Sequence, residues 1–78
     1  MGEEVMKLKF INKDGNKVTL IMVATLEYTE GEKTIVIWDY TGDKVTIDCG
    51  SIEDAETCVF NLWDMGCFEL DKVNVFWG

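Results

Sequence analysis

Histidine, arginine and proline are all missing from this 78-residue chain. Without histidine it has no side chain whose ordinary pKa lies near neutrality, which removes the commonest general acid–base group and a frequent metal ligand. Cysteine is scarce. Cys49, Cys58 and Cys67 are odd in number, widely spaced and without a CxxC pair, so neither a zinc site nor a disulfide scaffold is expected, and no cofactor is implied. Three free thiols in apolar settings predict small buried residues in a reduced, cytoplasmic location. Long apolar runs are absent too: the longest uncharged stretch, Val18 to Leu26, is too short to cross a bilayer as a helix and reads as a strand. The start, Met1-Gly2-Glu3-Glu4, places acids where a secretory leader carries basic residues, and Met1-Gly2 lacks the Ser or Thr that a myristoylation signal needs. No membrane association is expected.

Acid is what the chain has in excess. Fifteen Asp and Glu face seven lysines, a formal charge of -8. Such a field attracts basic partners and repels nucleic acid and anionic membrane. Hydrophobic residues make up 47% and aromatic residues 12%, too much apolar material for a solvated acidic tail, so residues 1–78 read as one small globular α+β domain. A chain of this length buries only about 60% of the surface that its unfolded form exposes, and its stability is expected to be marginal without help such as oligomerisation.

The order of elements follows from periodicity. Met6, Leu8 and Phe10 alternate with Lys7 and Lys9, the signature of a half-buried strand. Asp14-Gly15 then predicts a type I′ hairpin to a long second strand, with Val18, Leu20, Met22, Ala24, Leu26 and Tyr28 on one side and Thr19, Ile21, Val23, Thr25 and Glu27 on the other. A turn at Glu30–Lys33 leads to a third strand, Thr34 to Tyr40, and a turn at Thr41–Lys44 leads to a fourth with Val45, Ile47 and Cys49 inward. After Gly50 the period becomes helical, with Ile52, Ala55, Val59, Leu62 and Trp63 on one face, Ser51 as N-cap and Gly66 as terminator. A turn at Asp71-Lys72 and a fifth strand through Val73, Val75 and Trp77 complete the order ββββαβ, an antiparallel sheet of about five strands with one helix on one face.

Candidate catalytic chemistry is thin. Asp39 and Asp48 are a candidate carboxylate pair if adjacent strands bring them together, but exposed paired carboxylates are far more often solvated charges. Cys49 lies two residues before the helix N-cap, the thiol nearest an activating position, although a core-facing strand residue is the commoner outcome. The Asn12–Asn16 segment begins like a calcium loop and then fails, with Lys17 where the sixth position wants Gly and Val23 where the twelfth wants Glu. A non-enzymatic protein is therefore expected.

Two features point to partners. Glu27, Glu30 and Glu32 crowd one hairpin end, while Glu53, Asp54 and Glu56 crowd the start of the helix; solvated turns and helix capping account for such groups about as well as a binding role does. A single helix also leaves one sheet face uncovered. Ile21, Val23, Ile35 and Ile37, or their opposite neighbours, must meet a second copy of the chain, or else the strands must bend into a partly closed barrel. Small size, acidity and the lack of a catalytic set together resemble phage-encoded inhibitors of the anti-CRISPR type, which act as DNA mimics. That resemblance implies a protein-binding inhibitor in the host bacterial cytoplasm, its acidic surface occupying the nucleic-acid site of a basic DNA-binding protein or CRISPR effector complex. The alternative is a homodimeric structural or adaptor module whose acidity serves only solubility.

Overall fold

The computed structural model describes residues 5–78 except Asn16. The leader and lipidation readings at Met1 to Glu4, and the Asn16 end of the first turn, lie outside the described residues.

Five strands and one helix follow in the expected order: β1 (Met6–Asn12), β2 (Val18–Tyr28), β3 (Thr34–Asp39), β4 (Lys44–Asp48), α1 (Ile52–Met65) and β5 (Cys67–Trp77). Strands β1 to β4 form an antiparallel meander, β5 pairs antiparallel with β4, and β5 also pairs parallel with β1. The sheet therefore closes into a barrel, so bending of the strands is what covers the second sheet face. Small barrels of this kind have just enough interior for their own side chains. Here Leu8, Phe10, Val45, Ile47, Leu70 and Val73 fill it together with four residues that the sequence offered as a self-association face. Those four, Ile21, Val23, Ile35 and Ile37, are only 5%, 1%, 0% and 0% exposed, so they are core and offer nothing to a second copy.

Closure depends on two irregular positions. In β2, Val23 pairs with Asp39 and Thr25 with Trp38, which leaves Ala24 as an extra residue. Such a bulge bends a strand and reverses the parity of everything after it. Before Ala24 the inward residues are Ile21 and Val23; after it they are Leu26 and Tyr28. The single continuous alternation expected along β2 is thus broken at its middle, where it had been apolar on both sides. In β5 the expected turn at Asp71-Lys72 is instead a bulge within one continuous strand: Phe10 pairs with Leu70 and Asn12 with Val73, and Lys72 takes a left-handed φ of 58°. Both bulged strands change neighbours near the bend. β2 passes from β1 to β3, and β5 from β1 to β4.

The helix makes the second change possible. Fourteen residues at about 1.5 Å each carry the chain about 21 Å, close to the length of the seven-residue β5 segment that must return before Asn74 meets Asp48. Ser51 caps it as expected, its Oγ accepting the Asp54 amide at 3.0 Å, and Gly66 ends it at φ 76° with its amide bonded to the Leu62 carbonyl. Its buried stripe is Ala55, Cys58, Val59 and Leu62, which joins the barrel core so that the helix packs on the sheet's inner face. Ile52 and Trp63, expected in that stripe, are instead 48% and 61% exposed. At about 100° per residue Trp63 lies about 80° round the helix from Ala55, whereas Cys58 falls inside the stripe.

The first hairpin is looser than a type I′ turn. The Asn12 amide bonds the Lys17 carbonyl at 3.0 Å, the Asn12 side chain accepts the Asp14 amide at 3.0 Å, and Gly15 has no positive φ. The second turn is tighter, with Glu32 N–H donating to the Thr29 carbonyl and Gly31 at φ 90°.

Because Ile35 and Ile37 are barrel core, Ile35→Ala or Ile37→Ala is expected to cost about 2–5 kcal/mol. The loss is independent of protein concentration. Urea melts at two concentrations a hundredfold apart check this, since an interface residue would give a concentration-dependent midpoint.

Candidate acidic binding surface

The two acidic groups, distant in sequence, are brought to one end of the barrel. Thr34 pairs with Asp48, and the Cys49 amide donates to the Lys33 carbonyl at 2.9 Å, so the β2–β3 turn lies beside the chain that enters α1. Glu27, Glu30, Glu32, Glu53 and Asp54 are exposed and Glu56 is half-buried. Asp48 adds a seventh carboxylate, which meets the Lys33 ammonium at 3.8 Å.

Tyr28 marks the place where the groups meet. Its hydroxyl oxygen is enclosed without a hydrogen-bond partner. Desolvation raises its pKa first, and the carboxylates of Glu56 and Glu30 push it further the same way, against the pull of the Gly31 amide. Tyrosine at this position was read from the sequence only as a strand residue; the bulge at Ala24 is what turns it inward and between the two groups.

Asp39 and Asp48 do not form a pair. They sit at opposite ends of the β3–β4 ladder, where Trp38 pairs with Lys44 and Thr34 with Asp48, a separation of about 17 Å along the strand. Each is a turn residue. Asp39 accepts hydrogen bonds from the Thr41 amide at 2.9 Å, the Thr41 hydroxyl at 2.6 Å and the Asp43 amide at 3.0 Å, and Asp48 accepts the Gly50 amide at 2.9 Å. The Thr41 hydroxyl is the main reason why the Asp39 carboxyl is held below its usual range.

The thiols divide two to one. Cys49 and Cys58 are buried neighbours joining the end of β4 to the helix, while Cys67, expected to be buried like them, is exposed at the helix exit. Cys58 is pushed up by its hydrogen bond to Cys49 and by burial. Cys49, receiving that bond, is pulled down against burial and the carboxylates of Asp48 and Asp54. A thiolate nucleophile needs access as well as ionisation, and Cys49 is only 5% exposed. Among the described residues, no group of three or more His, Cys, Asp or Glu is placed to hold a metal ion, and no helix is long and apolar enough to cross a membrane.

Apolar surface remains outside the barrel. Leu20, Met22, Tyr40 and Trp77 are 57%, 45%, 67% and 56% exposed and border one cleft, with Asp39 and Asp43 at its rim. Along the helix, Phe60 and Trp63 are each 61% exposed. A wheel count centred on Ala55 rather than on Ile52 would have found the second set.

Two expectations follow. Asp39 has a folded pKa below its unfolded value of about 3.9, so its stabilisation is complete above that pH and is lost as pH falls through the lowered value. Asp39→Asn should therefore lower Tm at pH 7, with the gap from wild type narrowing below about pH 4 in thermal melts. Separately, a disulfide reagent should label Cys67 at once, whereas Cys49 and Cys58 react only as fast as the fold opens, which mass spectrometry over time will resolve.

No protein-family model, curated protein or solved structure matches this chain.

Proposed function

We propose that this protein is a non-enzymatic protein-binding inhibitor whose acidic end occupies a basic nucleic-acid site on its partner, in the manner of an anti-CRISPR DNA mimic acting in a bacterial cytoplasm. The observation that carries the reading is that the turn bearing Glu27, Glu30 and Glu32 lies beside the helix entry bearing Glu53, Asp54 and Glu56, with Glu30 and Glu56 both acting on Tyr28 between them. The helix dipole favours Glu53 and Asp54 in the first turn, but the turn carboxylates brought beside them add mutual repulsion. A Lys/Arg-lined groove built to neutralise phosphates would relieve that repulsion on contact.

The exposed cluster of Leu20, Met22, Tyr40 and Trp77 favours a second reading, a homodimeric adaptor joined through the outside of the barrel. These include the outward neighbours of the core residues first considered for that role. The two readings differ in salt response, because electrostatic capture weakens with ionic strength and an apolar interface does not.

Wild-type protein is expected to compete with DNA for CRISPR effectors or other basic DNA-binding proteins, with an inhibition constant that rises steeply with salt. Glu27/Glu30/Glu32→Lys should slow association by about tenfold or more and flatten the salt dependence, while leaving the Ser51 cap and the fold intact. Competition assays across a salt series measure both. Unchanged potency removes the hairpin from the site, and failure of wild type against every such protein removes the mimic reading.

A further inference from the structure

Helix α1 carries a second kind of group on its exposed side. The Phe60 and Trp63 rings form an edge-to-face pair with centroids 6.3 Å apart and planes at 66°, and both stay largely open to solvent. With Asn61 and Asp64 they line a shallow depression. Asn61 donates its Nδ2 to the Thr57 carbonyl at 2.7 Å, which leaves its Oδ1 free to accept. Asp64 lies one turn after Phe60 and lines the same depression, so a carboxylate stands beside the aromatic pair.

Charge on this helix is of one sign throughout. All seven lysines lie on other segments, and the last turn carries no basic residue. The C-terminal end of a helix is its negative end, where a cation is favourable and an acid is not. Asp64 in that turn therefore deepens a negative potential that no basic residue of the helix itself offsets.

We propose that Phe60 and Trp63, with Asn61 and Asp64, form a clamp for an arginine side chain of the partner. Exposed aromatic faces attract a cation, and a guanidinium adds planar stacking and a fork of donors that an ammonium lacks. The Asp64 carboxylate and the Asn61 oxygen supply the acceptors for that fork. The clamp rests on the reading of the protein as a binder of basic sites, and it specifies the contact: the acidic end supplies long-range attraction, and the helix selects arginine at short range.

The test measures binding of oligo-arginine and oligo-lysine peptides of equal length by fluorescence anisotropy. Wild type is expected to prefer arginine by about 5- to 20-fold, a ratio that falls to about one in Trp63→Leu and in Phe60→Leu. Both substitutions are at exposed positions, and a thermal melt confirms that each variant folds. In the Glu27/Glu30/Glu32→Lys variant both peptides should weaken together with the ratio kept, which separates failure of the clamp from failure of the acidic end. The indole N–H signal of Trp63, assigned by its loss in Trp63→Leu, should move on titration with oligo-arginine. Equal affinity of wild type for the two peptides, a preserved ratio in Trp63→Leu, or a dimer of wild type that Trp63→Leu dissociates would overturn the proposal.

Discussion

Bending two strands is the constraint on which the rest of this molecule depends. A five-strand sheet of flat strands would leave one face for a partner and two edges open, and one helix cannot cover all of that. The extra residue at Ala24 and the left-handed Lys72 let β2 and β5 each serve two neighbours, so five strands of 5 to 11 residues close on themselves. Closure places the β-branched pairs Ile21/Val23 and Ile35/Ile37 inside, and the same bend turns Leu26 and Tyr28 inward at the far end of β2. The closure of the sheet and the composition of its core are therefore set by the same two local irregularities.

The division of polar labour follows from that geometry. Among the described residues, aliphatic side chains, Phe10 and two cysteines fill the interior, and the charged and aromatic groups considered for recognition lie on the outside. Charge there is uneven. The β2–β3 turn and the helix carry acids with Lys33 alone among them, whereas around β1 the lysines are interspersed with acids, as where Lys9 meets Glu69 at 4.0 Å.

Much of this was legible in the sequence because local rules and global fold agree. The alternation of Leu8 with Phe10 and of Val45 with Ile47, the Ser51 cap and the Gly66 stop each specify their own surroundings, and each appears in the structure where its pattern places it. Bulges are different. Ala24 looks like any other residue of a strand that is apolar on both sides, and the choice of it as the extra residue comes from the twist needed for closure, a property of all five strands. The parallel β1–β5 pairing was hidden for the same reason. The grouping of the acidic residues could be seen as two clusters, but their meeting around Tyr28 requires the pairing of Thr34 with Asp48, which sequence spacing does not encode. Trp63 was misplaced because a stripe counted from Ile52 starts off-centre.

The parallel pairing of β1 with β5 also governs how the chain must acquire its shape. Lys7 and Cys67 are neighbours across that ladder although roughly sixty residues separate them, a loop whose closure entropy is met before its contacts reward it. The meander from β1 to β4 involves only near neighbours and can form first. Until β5 docks, however, β1 and β4 each present a bare edge, and Leu8, Phe10, Val45 and Ile47 lack the strand that seals them. The folding chain is thus most prone to aggregate before β5 docks, and that strand acts as the latch that ends the interval.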